Sequence, residues 1–590
     1  MSDIELGQAF DNAAQADWLA AVEKALRGKS YDTLVSNDLA GYETQPLYTE
    51  AGMATVDDAS GLPGQFPFLR GARALNNKFL PWQIAARIVP GRRGNDNAEI
   101  LADLAGGVSA LHLDFASAPN IDSAQIEQLL DGVMFDIAPL TLTPGRHAAA
   151  ALQLMATLRA DNKDRLAGYA NIDPLGTQIL YGDSIELDYK HLIAIGQQDT
   201  KLRLMTANGA AFHAAGAGIG EELGWALAAL TAYLRAFEAA GLAPQNALPR
   251  ITMTLAADGD FFASLAKMRA ARLLFANIAK AAGSDAAPQI HAETGLRAFS
   301  DLDPWVNILR GTIAAMAAGI AGIDMFTAAP CTASAGGDNA LTRRIARNTQ
   351  IILQEESHIG QVADAAGGSW YVESLTRQFA EAGWAEFQKI EAEGGLAAAI
   401  ANGTIAASLD ARRAAYDEAV GKRQASLVGV SAFPNLDEAA LDADPHPPAN
   451  GYRLATRFED LRRVAAKSKP RVFLACLGTQ AAFTPRANFA ANLYAAGGVQ
   501  AQAGDGGTDI DAIVAAFRAD GSKIVCLCGS DEDYDSHAEG LAQALYTAGA
   551  VHIALAGQPR GLAQIDDYCF AGCAALDFLS AIHDRLGLGD

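Results

Sequence analysis

An α/β chain with two parts, an N-terminal (β/α)8 TIM barrel and a smaller C-terminal doubly wound, flavodoxin-like sheet, is the fold class that three features predict. Eight apolar or β-branched runs recur between about residues 108 and 364, each followed by a helical pattern, and eight strand-helix units in series is the count of a TIM barrel. A Pro-rich, acidic stretch with no sustained period, residues 433–452, then interrupts the alternation. Beyond it, shorter strand and helix patterns alternate to the end of the chain, as parallel strands with helical crossovers do.

The elements follow in order. Residues 9–27 place Leu19, Val22 and Leu26 at roughly helical spacing ahead of an irregular segment rich in Pro and Gly, so 1–82 reads as an N-terminal arm and barrel entry. Within 83–430, the barrel, the strand-like runs are 108–115, 132–142, 166–172, 202–207, 249–255, 288–293, 322–328 and 359–364. The helices at 216–241 and 260–283 are clearer than the strands, because their apolar stripes repeat every three to four residues. Residues 431–468 read as a linker or a belt over the barrel. Residues 469–590 form the small domain, with strands in RVFLACLG, KIVCLCG and VHIALAG. Sheets of this kind bind ligands at the carboxyl ends of their strands, which directs attention to the loops after 477, 528 and 556.

Composition narrows the function classes. With 50% apolar and only 7% aromatic residues, the 590-residue chain favours helix-rich α/β architecture over a sandwich. A formal charge of −23 repels polyanions, which disfavours nucleic acid and anionic membranes as partners. The first residues carry neither a cationic start nor an apolar stretch like a secretory signal, and no run of 18 apolar residues occurs, so a cytoplasmic location is expected. Six cysteines cannot make a dense disulfide framework. Cys526 and Cys528 lie two apart on a strand pattern and Cys569 and Cys573 four apart; neither pair has the loop spacing of a zinc knuckle, and no metal is expected.

Several longer phrases carry a resemblance. PLYT at 46–49, LPGQFPFLRG at 62–71, the pair Pro81-Trp82, FFASLAKMRAARLL at 261–274, RRIARNTQIILQEES at 343–357 and DAAGGSWYVESLT at 364–376 occur in an order and spacing similar to those of the methylmalonyl-CoA mutase family. Within that family the chain resembles the small, non-catalytic chains. The resemblance implies a TIM barrel whose axis takes an acyl-CoA, capped by a cobalamin-binding sheet that is degenerate here.

The positions that would carry the chemistry are altered. Catalytic chains of the family hold cobalt through the histidine of an Asp-x-His-x-x-Gly loop, where a second-shell carboxylate orients the imidazole. In the matching loop here the aspartate position is Gln480, the histidine position Ala482 and the glycine position Pro485. A methyl group cannot ligate cobalt. A family lysine falls at Cys476, the Ser-x-Leu loop at Cys528 to Ser530, and the Gly-Gly that lets the nucleotide tail approach the backbone reads Gly557-Gln558. In the barrel, two arginines for the substrate carboxylate become Leu80 and Ala85, a tyrosine becomes Arg87, and the thioester-polarising histidine becomes Ala211.

Three remnants are candidates for substrate contact. His291 aligns with a substrate-contacting histidine, although its neighbours read Gln289 and Glu293, and an ionised Glu293 would repel an anionic acyl-CoA. Arg343 and Arg347, with Arg344, form the densest basic group of the barrel half and offer either a CoA phosphate site or ordinary salt bridges. His213, two residues from the lost histidine, reads as locally satisfied.

No catalytic residue and no bound cofactor are therefore expected in this chain. The resemblance implies a heterodimer with a homologous catalytic large subunit that carries adenosylcobalamin and interconverts methylmalonyl-CoA and succinyl-CoA, with the arm 1–60 and the outer barrel helices as contact surfaces. The alternative is a divergent acyl-CoA mutase, or an acyl-CoA-binding protein, acting alone.

Overall fold

A computed structural model describes residues 13–37, 39, 41–50, 61–92, 96–118, 123–162, 168–198, 201–335, 337–438 and 451–588. Residues 1–12 and 51–60 of the expected arm and 439–450 of the expected linker lie outside the described residues. Two compact units are present, Met1–Val56 and Asp57–Asp590. In the first, the helix Gln15–Leu26 precedes a short antiparallel ladder of β1 (Ser36–Asn37) and β2 (Glu43–Thr44). The expected arm of 1–82 is thus divided, and residues 57–82 belong to the larger unit. Side chains explain this: Arg73 pairs with Asp324 at 3.7 Å, and Asn76 Nδ2 donates to Gly360 O at 2.7 Å.

Eight parallel strands close a barrel: β3 (Gln83–Ile88), β4 (Ala110–Asp114), β5 (Leu140–Thr143), β6 (Gly168–Ile172), β7 (Arg203–Asn208), β8 (Ile251–Ala257), β9 (Ile290–Thr294) and β10 (Met325–Thr327). Closure falls to the shortest of them, β10, in which Met325 is in register with His291 of β9 and Gln83 of β3. The expected strand at 359–364 is a run of turns, and the first barrel strand is β3 instead. Two long helices pack outside. Glu221 accepts from Gly218 N at the start of Ile219–Ala239, and Asp260 accepts from Ala263 N at the start of Phe261–Ala281, so each has a satisfied N-terminus. Both bury most of their length, as helices hydrophobic nearly all round must.

The linker region is more structured than expected. Gly451 to Arg453 lie over the barrel mouth, with Tyr452 N donating to Ala214 O at 2.8 Å and Leu454 N to Arg297 O at 2.9 Å. A helix follows, Thr456–Ala466, with Glu459 and Arg462 buried. Next come five parallel strands, β11 (Arg471–Cys476), β12 (Gln500–Ala503), β13 (Ile524–Cys528), β14 (His552–Ala556) and β15 (Asp567–Cys569), in the spatial order β12-β11-β13-β14-β15. Their apolar core includes Phe473, Leu477, Phe517, Leu527, Leu541 and Leu555. All six cysteines are unbridged, and Cys526 Sγ lies 3.9 Å from Cys569 Sγ in the interior of the sheet. Among the described residues no single helix is long and apolar enough to cross a membrane.

Candidate functional site at the barrel mouth

A cavity of about 570 Å³ opens at the carboxyl ends of the barrel strands, and the segment Gly451 to Arg453 forms part of its wall. Such ends are where barrel proteins assemble their sites, because the loops that follow each strand converge there. Successive inward positions are polar: Arg87 lies one residue before the end of β3, Asp114 ends β4, Thr143 ends β5, Asn208 ends β7, Glu293 lies on β9 and Thr327 on β10.

Charge in the cavity is internally balanced. Arg87 Nε donates to Asp114 Oδ2 at 3.1 Å and Nη1 to Glu293 Oε2 at 3.4 Å. Burial opposes the guanidinium charge, but the two carboxylates more than offset it and raise the Arg87 pKa. Burial raises the Glu293 carboxyl, while Arg87 pulls it back. The repulsive Glu293 expected from the sequence is therefore one arm of an ion pair, and the arginine at the lost tyrosine position is its partner.

Beneath this pair lie two imidazoles. His291 Nε2 is 2.7 Å from Thr327 Oγ1, its Nδ1 is buried without a hydrogen bond, and its ring stands edge-on to His112 at 5.3 Å. His112 reaches Thr327 Oγ1 at 3.1 Å and Thr143 Oγ1 at 2.7 Å. Burial, reinforced by Arg87, pushes His291 down to about 3 and lowers His112, so both rings are neutral. Donor atoms of His112, His291 and Glu293 approach one another within 4.8 Å. The Thr327 hydroxyl already bonds both rings, and Arg87 already bonds the carboxylate.

On the far wall, His213 is buried with Nδ1 3.5 Å from Glu222 Oε2, while its Nε2 makes no hydrogen bond and lies 3.9 Å from Asp258. Burial and then Arg297 lower its pKa against the pull of Glu222. Helix Gly209–Ala215 holds it there, capped by Asn208, which accepts from Ala211 N at 3.1 Å, and ended by Gly216 at φ 109. A side chain at Gly216 would lie within 2.9 Å of Arg413 as well as straining the backbone. Ala211 lines the cavity.

Asp173 is a functional candidate with no signal in the sequence. It accepts from the Tyr233 hydroxyl and from Gly176 N, its Oδ2 makes no hydrogen bond, and burial raises its carboxyl to about 7. His112 was equally hidden, being one residue inside an apolar strand pattern.

The basic group stands apart from this chemistry. Arg343 pairs with Glu99 at 3.1 Å, Asp103 at 3.4 Å and Asp338 at 2.9 Å, and Arg347 pairs with Asp103 at 2.7 Å. These bonds tie helix Ala340–Glu355 to helix Asp96–Ala105 and occupy the charge that a phosphate would need.

In the small domain, Gln480, Ala482 and Pro485 lie on the first turns of helix Gln480–Ala496 rather than on a loop. Ala482 N donates to Thr479 O at 2.9 Å, and its methyl offers no donor atom to a metal. Gln558 is exposed just beyond β14. These residues do not fit a protein-ligated cobalt.

A closed parallel barrel with a polar mouth, continued in one chain by a parallel five-stranded sheet, defines a two-part α/β protein. A family model described as methylmalonyl-CoA mutase matches residues 37–125 and 118–509. The chain is 37% identical to the methylmalonyl-CoA mutase small subunit of Streptomyces virginiae, over 99% of this chain and 98% of that protein. It is 37% identical to a probable methylmalonyl-CoA mutase small subunit of Mycobacterium tuberculosis, over 89% of each, and 30% identical to the small subunit of Propionibacterium freudenreichii subsp. shermanii, over 99% and 97%. The chain belongs to the methylmalonyl-CoA mutase family.

Proposed function

We propose that this chain is the non-catalytic small subunit of a cytoplasmic, adenosylcobalamin-dependent methylmalonyl-CoA mutase, paired with a homologous large subunit that binds the cofactor and isomerises methylmalonyl-CoA and succinyl-CoA. The observation that carries the reading is Ala482, the residue the resemblance pairs with the family's cobalt ligand, whose methyl on the first turn of helix Gln480–Ala496 offers no donor atom. The names of the relatives support the pairing. The strand order β12-β11-β13-β14-β15, which is 2-1-3-4-5 in chain order, supports a flavodoxin-like sheet of cobalamin-binding type that has lost its ligand set. At the barrel mouth, Arg87 is committed to Asp114 and Glu293.

The test is to purify the chain alone and with its large homologue, and to assay adenosylcobalamin content and methylmalonyl-CoA turnover of each. Activity is expected only in the mixture, with cobalamin on the large chain. Turnover by the isolated chain would refute the proposal. The cavity, with its unbonded His213 Nε2 and Asp173 Oδ2, favours the second reading to the extent that it admits a ligand. Saturable binding of methylmalonyl-CoA to the isolated chain, without turnover, is the result that would promote an acyl-CoA-binding role.

A further inference from the structure

The barrel brings three potential metal ligands together from two strands that are not neighbours. His291 and Glu293 lie two apart on β9 and so share a face, and Glu293 lines the cavity. His112 comes from β4, which β10 and β3 separate from β9. The two rings can meet because β3 contributes only a methyl there: Ala85, two residues before the inward Arg87, is in register with Thr327 of β10. Among the described residues, His112, His291 and Glu293 are the one set of three such side chains whose donor atoms all lie within 4.8 Å of one another.

An unmet bond belongs to this set. His291 is only 6% exposed, and its Nδ1 makes no hydrogen bond. The Thr327 hydroxyl lies between the rings, 2.7 Å from His291 Nε2 and 3.1 Å from His112 Nδ1, and the Thr143 hydroxyl lies 2.7 Å from His112 Nε2. Whichever way the protons run along that chain, His291 Nδ1 is left over, either as a bare lone pair or as an N–H without an acceptor, and a buried orphan of either kind is costly. A cation on Nδ1 removes the cost while Nε2–H donates to Thr327, which is how a ligating imidazole is ordinarily held. His112 keeps one hydroxyl in the same role and gives its other nitrogen to the ion. Charge favours a cation as well, because Arg87 is shared by Asp114 and Glu293 and these three side chains together carry one negative charge in excess. Glu293 and Thr327 line the cavity, which gives an ion its way in.

We propose that His112, His291 and Glu293 form a site for one divalent first-row transition ion, zinc or ferrous iron in class, at the floor of the barrel mouth. Two imidazoles and a carboxylate are donors that such ions take, whereas magnesium and calcium favour oxygen alone. Tetrahedral ligation at about 2.1 Å per bond sets donor atoms roughly 3.4 Å apart, so small rotations of the three side chains draw the set in. Arg87 holds Glu293 by Oε2, which leaves Oε1 to ligate. The site is independent of the proposed non-catalytic role, since it needs neither cobalamin nor a second subunit.

The experiment takes the full-length chain, stripped with EDTA, and titrates it with cobalt(II) chloride, whose visible d–d bands report ligation, and with zinc chloride in a calorimeter. Wild type is expected to bind one equivalent of each ion and to melt at a higher temperature with zinc. His291→Asn and Glu293→Gln are expected to weaken binding by about tenfold or more and to lose the thermal shift. His191→Gln, which removes an exposed histidine, is expected to leave both unchanged. Circular dichroism checks folding, and His112→Asn replaces either barrel variant that is unfolded. Failure of wild type to bind either ion saturably would overturn the proposal. Binding by His291→Asn and Glu293→Gln with wild-type affinity would overturn it too, because the ion would then lie elsewhere in the chain.

Discussion

Asp173 shows how a single carboxyl records the polarity of the barrel mouth. Burial raises it from an ordinary 3.8 to about 7, in spite of the bonds from Tyr233 and Gly176. Between those values the unfolded chain has lost the proton while the folded chain keeps it, so stability falls as pH rises through that window, by ~1.4 kcal/mol per unit, and levels off above it. Asp173→Asn removes the titration. Urea denaturation of the two proteins should show the variant gaining about 2 kcal/mol on wild type between pH 5 and pH 7. A difference flat in pH would place the Asp173 titration in the ordinary carboxylate range. The sequence gives no hint of this group, because Tyr233 lies 60 residues further on and only the fold brings them together. Arg343 and Arg347 show the converse. Their cluster is visible as a string of cations, but the acceptor Asp103 lies 244 residues before Arg347, so the partner that decides between a phosphate site and ordinary salt bridges is not.

At the level of elements, the amphipathic helices were legible and the strands less so. Residues 83–88 read QIAARI, Ala-rich with a polar end, and do not show the β-branched density of β8, whose seven residues are all buried. Residues 359–364 were credited with a strand, yet His358, Gly360 and Asp364 all have positive φ, which a strand cannot accommodate. What fixes the long helices is a buried ion network. Glu222 of helix Ile219–Ala239 accepts from Lys267 Nζ at 2.6 Å and from Ala256 N at 3.0 Å, joining both helices to β8. Burial disfavours the Glu222 charge, but Lys267 overcomes this and lowers its pKa. Lys267→Met should therefore cost about 3–5 kcal/mol, by leaving a carboxylate buried without its cation. Glu222→Gln/Lys267→Met should cost clearly less than the sum of its single substitutions, as measured by urea titration. Additive losses would mean that the two side chains do not depend on each other.

Across the whole of the larger unit, the bond between barrel and sheet runs through the end of the linker segment, at Arg453 and Glu459. Its composition, rich in Pro and Asp, concealed that Arg453 is a hub. That guanidinium reaches Asp301 Oδ1 at 2.7 Å on the barrel and Glu459 at 2.9 and 2.7 Å on the helix leading into the small sheet. Glu459 is fully buried and also accepts from Asp301 N at 2.9 Å, so barrel loop, strap and helix share one carboxylate. Arg463, 3.6 Å from Glu459, supplies a partial substitute. Removing Arg453 leaves two acids facing each other with less counter-charge, at a cost of about 3 kcal/mol. That loss falls on the joint rather than on either core, and it should therefore loosen coupling between the two. The chain offers a way to see this. All six tryptophans precede residue 431, so their fluorescence does not report the small sheet, whereas far-ultraviolet circular dichroism reports every helix and strand. In wild type the two signals should change together on heating, as one cooperative unit requires. In Arg453→Met the dichroism change should spread over a wider range than the fluorescence change, because sheet and barrel then unfold separately. Coincident curves in the variant would show that the small domain is held by its apolar contacts, such as Leu576 against Gly421, and not by the ionic hub.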